Sequence, residues 1–197
     1  MKTALDPRHQ LRQKIIQELF AWKAQSQIKN QKSKIKNQDD KTQMIVSLLD
    51  KIDKIITNCA PEWTIDKINP VDLAILRLAV YELCFELTEP PKVIIDEAVE
   101  LAKEFGGESS SSFINGALGK VLYNKNRVLK IMANKLGVEE EKLTPEANLM
   151  TDLNVTDLEI ADLITVLERD LNLAPPPGLS SFQTVGSILD YIEEQNE

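Results

Sequence analysis

The spacing of apolar residues limits this chain most: nearly every segment repeats them at intervals of three and four, and no run alternates apolar with polar as a half-buried strand does. The clearest case is "INPVDLAILRLAVYELCFEL". Asn69 suits the N-cap and Pro70 the first helical position. Asp72 falls in the first turn, where a carboxylate meets the positive end of the helix dipole. Leu76, Ala79, Val80 and Leu83 form its predicted buried face, and "EPP" at 89–91 ends it. The next helix is predicted over "KVIIDEAVELAKEFGG", with Ala98, Leu101, Ala102 and Phe105 inward and Gly106–Gly107 as the stop. "SSSSFINGALGKVLY" supplies another, with Phe113, Ala117 and Val121 inward and Ile114, Leu118 and Leu122 alongside. Upstream, Pro7 precedes a stripe of Leu11, Ile15, Leu19 and Trp22, with Arg8, Arg12 and Lys14 among the polar positions beside it. A further pattern, Ile45, Leu48, Leu49, Ile52, Ile56 and Cys59, runs to Pro61. The predicted fold class is all-α.

Charge divides the chain in two. Residues 1–126 hold 18 Lys+Arg and 17 Asp+Glu, net +1, whereas residues 127–197 hold 5 and 14, net −9. Residues 1–38 alone hold 9 basic and 2 acidic groups, net +7, the polarity a phosphate-binding edge needs. Two domains are therefore expected, 1–126 and 127–197. Within the first lies a polar low-complexity segment near 26–41, in which "IKNQ" recurs; it buries too little apolar surface to offset its ordering and is expected to be flexible or frayed. Its Lys29, Lys32, Lys34 and Lys36 either attract phosphates nonspecifically or merely solubilise. Cys59 and Cys84 are far apart and sit in apolar helical patterns, so both are expected to remain reduced, and a single histidine, His9, makes a histidine-based metal centre unexpected. No apolar run reaches the roughly 18–20 residues of a membrane span, and the N-terminus lacks a signal-peptide core. A cytoplasmic protein with no membrane partner is the expectation.

The ordered blocks "DPRHQLRQKIIQELFAW", "WTIDKINPVDLAILRLAVYEL", "PPKVIIDEAVELAKEFGG" and "SSFINGALGK" resemble the NusB transcription antitermination factors over about residues 4–123. That resemblance implies a pair of packed helical bundles that catalyses nothing and uses no cofactor. Its implied partners are boxA-type single-stranded RNA, the small-subunit ribosomal protein NusE and the transcription elongation complex. Arg8, His9 and Arg12 fall where the family carries an arginine-rich N-terminal segment, and with Lys14 they are the RNA-binding candidates. On their own terms Arg8 and Arg12 also read as a solvated helix face. The resemblance places NusE on the face containing Asp72 and near Phe113; Asp72 equally reads as a first-turn residue and Phe113 as core. One departure stands out. The interval from Trp22 to Ile45 is shorter than in typical members, with the polar repeat where a family helix packs.

From about Val128, "KLGVEEEKLTPEA", the "DL" before "NVTDLEIADL" and the final "TVGSILDYIEE" resemble acyl carrier proteins, acidic four-helix domains. The family attaches phosphopantetheine to the serine of an Asp-Ser-Leu triplet. Here the triplet is Thr156, Asp157, Leu158, and Asp157 in the serine's place offers no hydroxyl. Thr156 lies one residue, about 100° of helix, away and forms a T-x-x-E capping box with Glu159 that already employs its hydroxyl. The stripe Ile160, Leu163, Ile164, Leu167, Leu171 still predicts a packed helix. The carrier fold is thus expected without its arm, its acidic residues Asp157, Glu159, Asp162, Glu168 and Asp170 serving either as a docking face for a basic partner or as a solvated surface. The competing reading is an acyl or phosphopantetheine carrier, or an acyl-metabolism interaction protein.

Overall fold

The computed structural model describes residues 6–29, 39–171, 173–176 and 178–195. Among these the chain is helical, with one isolated bridge between Asn148 and Thr184 in place of any strand. It divides into two compact units, Met1–Leu122 and Tyr123–Glu197.

The first unit is organised around α4, Pro70–Tyr81, which packs against α1 (Pro7–Lys29), α3 (Leu49–Cys59) and α5 (Pro91–Phe105). Every residue of α4 from Asp72 to Tyr81 is buried, so the helix has no solvated face and its apolar content exceeds a single stripe. Its start is the one the sequence dictates: the Asn69 side chain accepts from the Val71 amide at 2.9 Å, with Pro70 following. The end is less regular. Glu82–Glu86 widen into one π turn, closed by the Leu87 amide on the Glu82 carbonyl with Leu87 at φ 53°. Arg77, buried on α4, forks onto Asp53 of α3 through Nε–Oδ1 at 2.8 Å and Nη2–Oδ2 at 2.7 Å. This two-bonded geometry satisfies a guanidinium that burial would otherwise penalise.

The stripe of α1 is rotated from its prediction. Arg12, Ile15, Ile16 and Leu19 face the core while Leu11 is 39% exposed. The predicted second helix is broken at Leu48 into α2 (Asp40–Ser47) and α3, because Leu48 leaves helical geometry at φ −102°, ψ 13°. The segment 26–41 is helical at both ends: α1 continues through Lys29, and Asp39 caps α2 by accepting from the Lys41 amide at 3.1 Å. Lys32, Lys34 and Lys36 lie outside the described residues. Glu18 ties α1 to α2 by accepting from the Thr42 hydroxyl at 2.6 Å and the Asp39 amide at 2.9 Å. Phe105, predicted inward, is 40% exposed at the end of α5. Gly106 follows because a Cβ there would lie 2.5 Å from the Ser110 Cβ and 2.6 Å from the Ala102 carbonyl oxygen.

Helix α6 spans Ser110–Leu136, longer than predicted. Its Ile114, Ala117, Leu118 and Val121 enter the first core, and Val128, Met132 and Ala133 the second. The second unit adds α7 (Asp157–Leu171) and α8 (Val185–Gln195). Of the four helices expected, three are α-helices; Leu179–Ser181, after the prolines at 175–177, forms a single 3-10 turn, as does Glu140–Lys142. Ile160, Leu163, Ile164 and Leu167 of α7 meet Val185 and Ile188 of α8 in one core, where Phe182 stands edge-on to Tyr191 at 5.3 Å.

Candidate RNA-binding edge and carrier-like loop

The start of α1 lies beside carboxylates from the end of α4 and from α5, and these determine what its cations can do. Arg12 is buried. Its Nε donates to both oxygens of Glu82 at 3.2 and 3.0 Å, Nη2 donates to Glu89 at 2.7 Å, and Nη1 lies 4.0 Å from Glu97. Glu82 also accepts from Lys41 Nζ at 3.0 Å, which reaches Glu86 at 2.7 Å. The network continues outward: Arg8 Nη1 donates to Glu89 at 3.1 Å, and Arg8 Nη2 approaches Asp6 at 3.6 Å. His9 is held between Glu97 on Nδ1 at 3.0 Å and Glu104 on Nε2 at 3.2 Å. Four cationic side chains, His9 counted as protonated, thus face six carboxylates.

The proton affinities follow from this packing. Burial opposes the charge on Arg12 and on Lys41, but in both the carboxylate contacts outweigh it and the pKa rises, through Glu89 and Glu82 for Arg12 and through Glu86 and Glu82 for Lys41. The hydrogen bond to Glu97 lifts His9 above 6.5; partial burial opposes it and Glu104 adds to it. The hydrogen bond from Arg12 holds Glu89 below 4.5.

The four RNA-binding candidates therefore do not form a free cationic patch. Arg8 is 69% exposed and Lys14 56%, the latter paired with Asp39 at 3.4 Å and Glu18 at 3.7 Å. Pairs this exposed contribute little in water and exchange readily for another anion. Arg12, expected on the solvated side of α1, is instead an internal tie, because the helix turns its 12, 15, 16, 19 face to α4. His9 is mostly buried between its two glutamates.

Of the partner-binding candidates, Asp72 is not on a surface. It is 6% exposed and accepts from the Ser110 hydroxyl at 2.9 Å, joining α4 to the start of α6. Phe113 packs partly on the core and stands edge-on to Trp63 at 6.1 Å, with Trp63 47% exposed. The sequence reading missed a second apolar feature: a groove of about 200 Å³ lined by Gln13, Ile16, Gln17, Phe20, Val71 and Phe105. Phe20, 44% exposed and off the stripe of α1, was the signal for it.

In the second unit, Thr156 caps α7 reciprocally with Glu159: the Thr156 amide donates to Glu159 at 2.8 Å, the Thr156 hydroxyl to the same oxygen at 2.7 Å, and the Glu159 amide to Thr156 Oγ1 at 3.3 Å. The loop ahead of it is stiffened by Asn148, whose side chain accepts from the amides of Met150 and Thr151, both at 3.0 Å. Asp157 opens the helix, exposed, with Leu158 beside it 79% exposed. Neither the Asp157 nor the Leu158 side chain carries a hydroxyl that could form a phosphopantetheine diester at this corner, and the Thr156 hydroxyl is engaged in the cap.

Residues 126–192 match the phosphopantetheine attachment site family, and residues 6–123 match the NusB family. The chain is 49% identical over 74 residues to the transcription antitermination protein NusB of Lachnoclostridium phytofermentans, covering 38% of this chain and 56% of that protein. It is 53% identical over 73 residues to the NusB of Acetivibrio thermocellus, covering 37% and 50%. The chain thus spans about half the length of the curated relatives it matches. Its fold is similar to a chain in the crystal structure of a plectonemic RNA supercoil, at a TM-score of 0.51 and 26% identity over 60% of this chain and 96% of that one. An acyl-carrier-like unit follows a helical unit whose matched residues make up more than half of the sequence, and on that match the chain belongs to the NusB family.

Proposed function

We propose that this protein is a non-enzymatic, cytoplasmic transcription antitermination factor that binds boxA-type single-stranded RNA together with NusE, in the service of the transcription elongation complex. The observation that supports it best is the family match over residues 6–123 with an exposed guanidinium, Arg8, at the start of α1. In this reading Arg8 and Lys14 exchange their surface carboxylates for RNA phosphates, while His9 and Arg12 hold Glu97, Glu89 and Glu82 in place beneath them and act as positioning residues. NusE is assigned to the exposed Trp63 and the half-buried Phe113 beside it, and Asp72 supports that neighbourhood through Ser110 from inside. The carrier-like unit serves as an unarmed docking module whose acidic α7 meets a basic partner, since Asp157 lacks the hydroxyl that a phosphopantetheine ester requires.

The test is binding of a labelled boxA-type RNA to the full chain, with and without NusE, across a salt series. Binding that NusE strengthens and salt weakens is expected, and Arg8→Gln should flatten the plot of log affinity against log salt by about 0.7, the single-strand value for one phosphate contact. Absence of binding in both conditions defeats the proposal.

A further inference from the structure

Helix α6 carries a second cationic face that the RNA-binding reading of α1 leaves unused. Within the second unit its Tyr123, Asn126, Arg127, Lys130, Ile131 and Asn134 are spaced by threes and fours, which brings them to one side of the helix. With Asp170 of α7 they line an open groove of about 600 Å³. The charge state of this groove differs from that of α1. Arg127 Nη2 donates to the main-chain oxygen of Asp170 at 3.1 Å, and the Asp170 carboxylate is already taken by Arg169 Nε at 2.9 Å. Among the described residues neither Arg127 nor Lys130 pairs with a carboxylate. Tyr123 is 67% exposed, and Asn126 and Asn134 are exposed as well. The face is thus a row of two unspent cations, a bare aromatic ring and two primary amides, set in a domain whose other half is acidic.

We infer that this α6 face is a second single-stranded RNA contact, with Arg127 and Lys130 on phosphates, Tyr123 under a base and the Asn126 and Asn134 amides on base edges or ribose hydroxyls. Single strands are held by this combination, because every base has a face to stack and every nucleotide a phosphate to neutralise. An acidic peptide would use the two cations but leave the ring and the paired amides without work. The net −9 of residues 127–197 does not forbid the contact. At physiological salt the screening length is about 8 Å, whereas Tyr123 to Asn134 spans about 16 Å of helix, so the potential over the groove is set by the charges that line it. The inference deepens the RNA-binding reading of the protein but stands on its own residues.

The experiment uses the full chain and a fluorescein-labelled boxA-type single strand, followed by anisotropy over a salt series, for the wild type, Arg127→Gln/Lys130→Gln, Tyr123→Ala and Arg8→Gln. All four positions are exposed, and circular dichroism verifies that the variants keep their helix. The double variant should flatten the salt plot by about 1.4, two contacts at about 0.7 each. Tyr123→Ala should weaken binding at least about fivefold with the slope unchanged, as expected for one lost stacking contact. Unchanged slope and affinity in the double variant overturn the inference, as does wild-type binding that polyglutamate displaces as well as unlabelled RNA does, which would mark the face as a site for acidic protein. If Arg8→Gln weakens binding and the α6 variants do not, only the α6 contact falls. The reverse pattern removes the α1 contact and keeps this one, and a wild type that binds no RNA overturns both.

Discussion

Replacing Arg12 by Met tests whether the network at the start of α1 is structural. Arg12 is 8% exposed at its side chain and Glu82 only 4%, so the substitution strands a buried carboxylate rather than a surface one. Removing one partner of a buried pair costs about 3–5 kcal/mol. Here Lys41 still holds Glu82 at 3.0 Å and Arg8 still holds Glu89 at 3.1 Å, so the low end applies. A loss of about 3 kcal/mol moves a urea midpoint by roughly 1–3 M at the slopes usual for small domains. Tryptophan fluorescence reads this unit alone, because Trp22 and Trp63 both lie in Met1–Leu122. The companion is Arg12→Met/Glu82→Gln. In the double variant no carboxylate is stranded at position 82, while Arg8 still holds Glu89 and Glu86 still holds Lys41, so it should be more stable than Arg12→Met by itself. A single variant that loses less than about 1 kcal/mol, or a double variant whose loss is the sum of its parts, refutes the argument that burial makes this pairing obligatory.

The pH dependence of His9 has a definite sign. Its folded pKa is raised above 6.5, so the stability it contributes is fully present below 6.5 and is lost as pH rises through the raised value. The difference in urea midpoint between wild type and His9→Gln should shrink as pH increases from the acid side, and a difference that grows with pH contradicts the assignment. Glu89 works in the opposite direction: held below 4.5, it contributes above that value and loses its contribution as pH falls through the depressed one, which Glu89→Gln should abolish in an acid titration of the same fluorescence signal. Gly106→Ala should destabilise the first unit by about 1–3 kcal/mol, since the new methyl meets the Ser110 Cβ at 2.5 Å and backbone oxygen at 2.6 Å. A thermal midpoint unmoved by that change would mean the α5–α6 corner is free to open. Incubated with coenzyme A and a broad-specificity phosphopantetheinyl transferase, the wild type should keep its intact mass, whereas Asp157→Ser should gain one phosphopantetheine; attachment to the wild type would restore the carrier reading.

The sequence by itself determined what neighbouring residues decide. The cap of α4 by Asn69 and Pro70, the reciprocal Thr156–Glu159 cap of α7 and the buried stripe Ile160, Leu163, Ile164, Leu167 were legible because each depends on groups within about one helical turn. The all-α class followed from the same periodicity. The residues Thr156, Asp157 and Leu158 are likewise read directly off the sequence, and the mass measurement above tests whether Asp157 stands at the carrier serine's position.

Tertiary structure decided the rest. A change of one residue in helical phase, about 100°, is enough to put Arg12 rather than Leu11 inside, and local periodicity favours the leucine. The arginine is inside because Glu82 and Glu89, 70 and 77 residues away in sequence, arrive there to neutralise it. Glu89 and Glu82, with Glu97 and Glu104 on His9 and Asp39 and Glu18 on Lys14, turn the +7 of residues 1–38 from a bare basic edge into one whose described cations at 8, 9, 12 and 14 are each paired. Phe105 and Phe20 were misread or passed over for the converse reason: a helix face is apolar by its own sequence, but only the helices packed around it determine whether that face is covered. Charge pairing and burial are properties of which segments meet, and a chain read one turn at a time does not contain them.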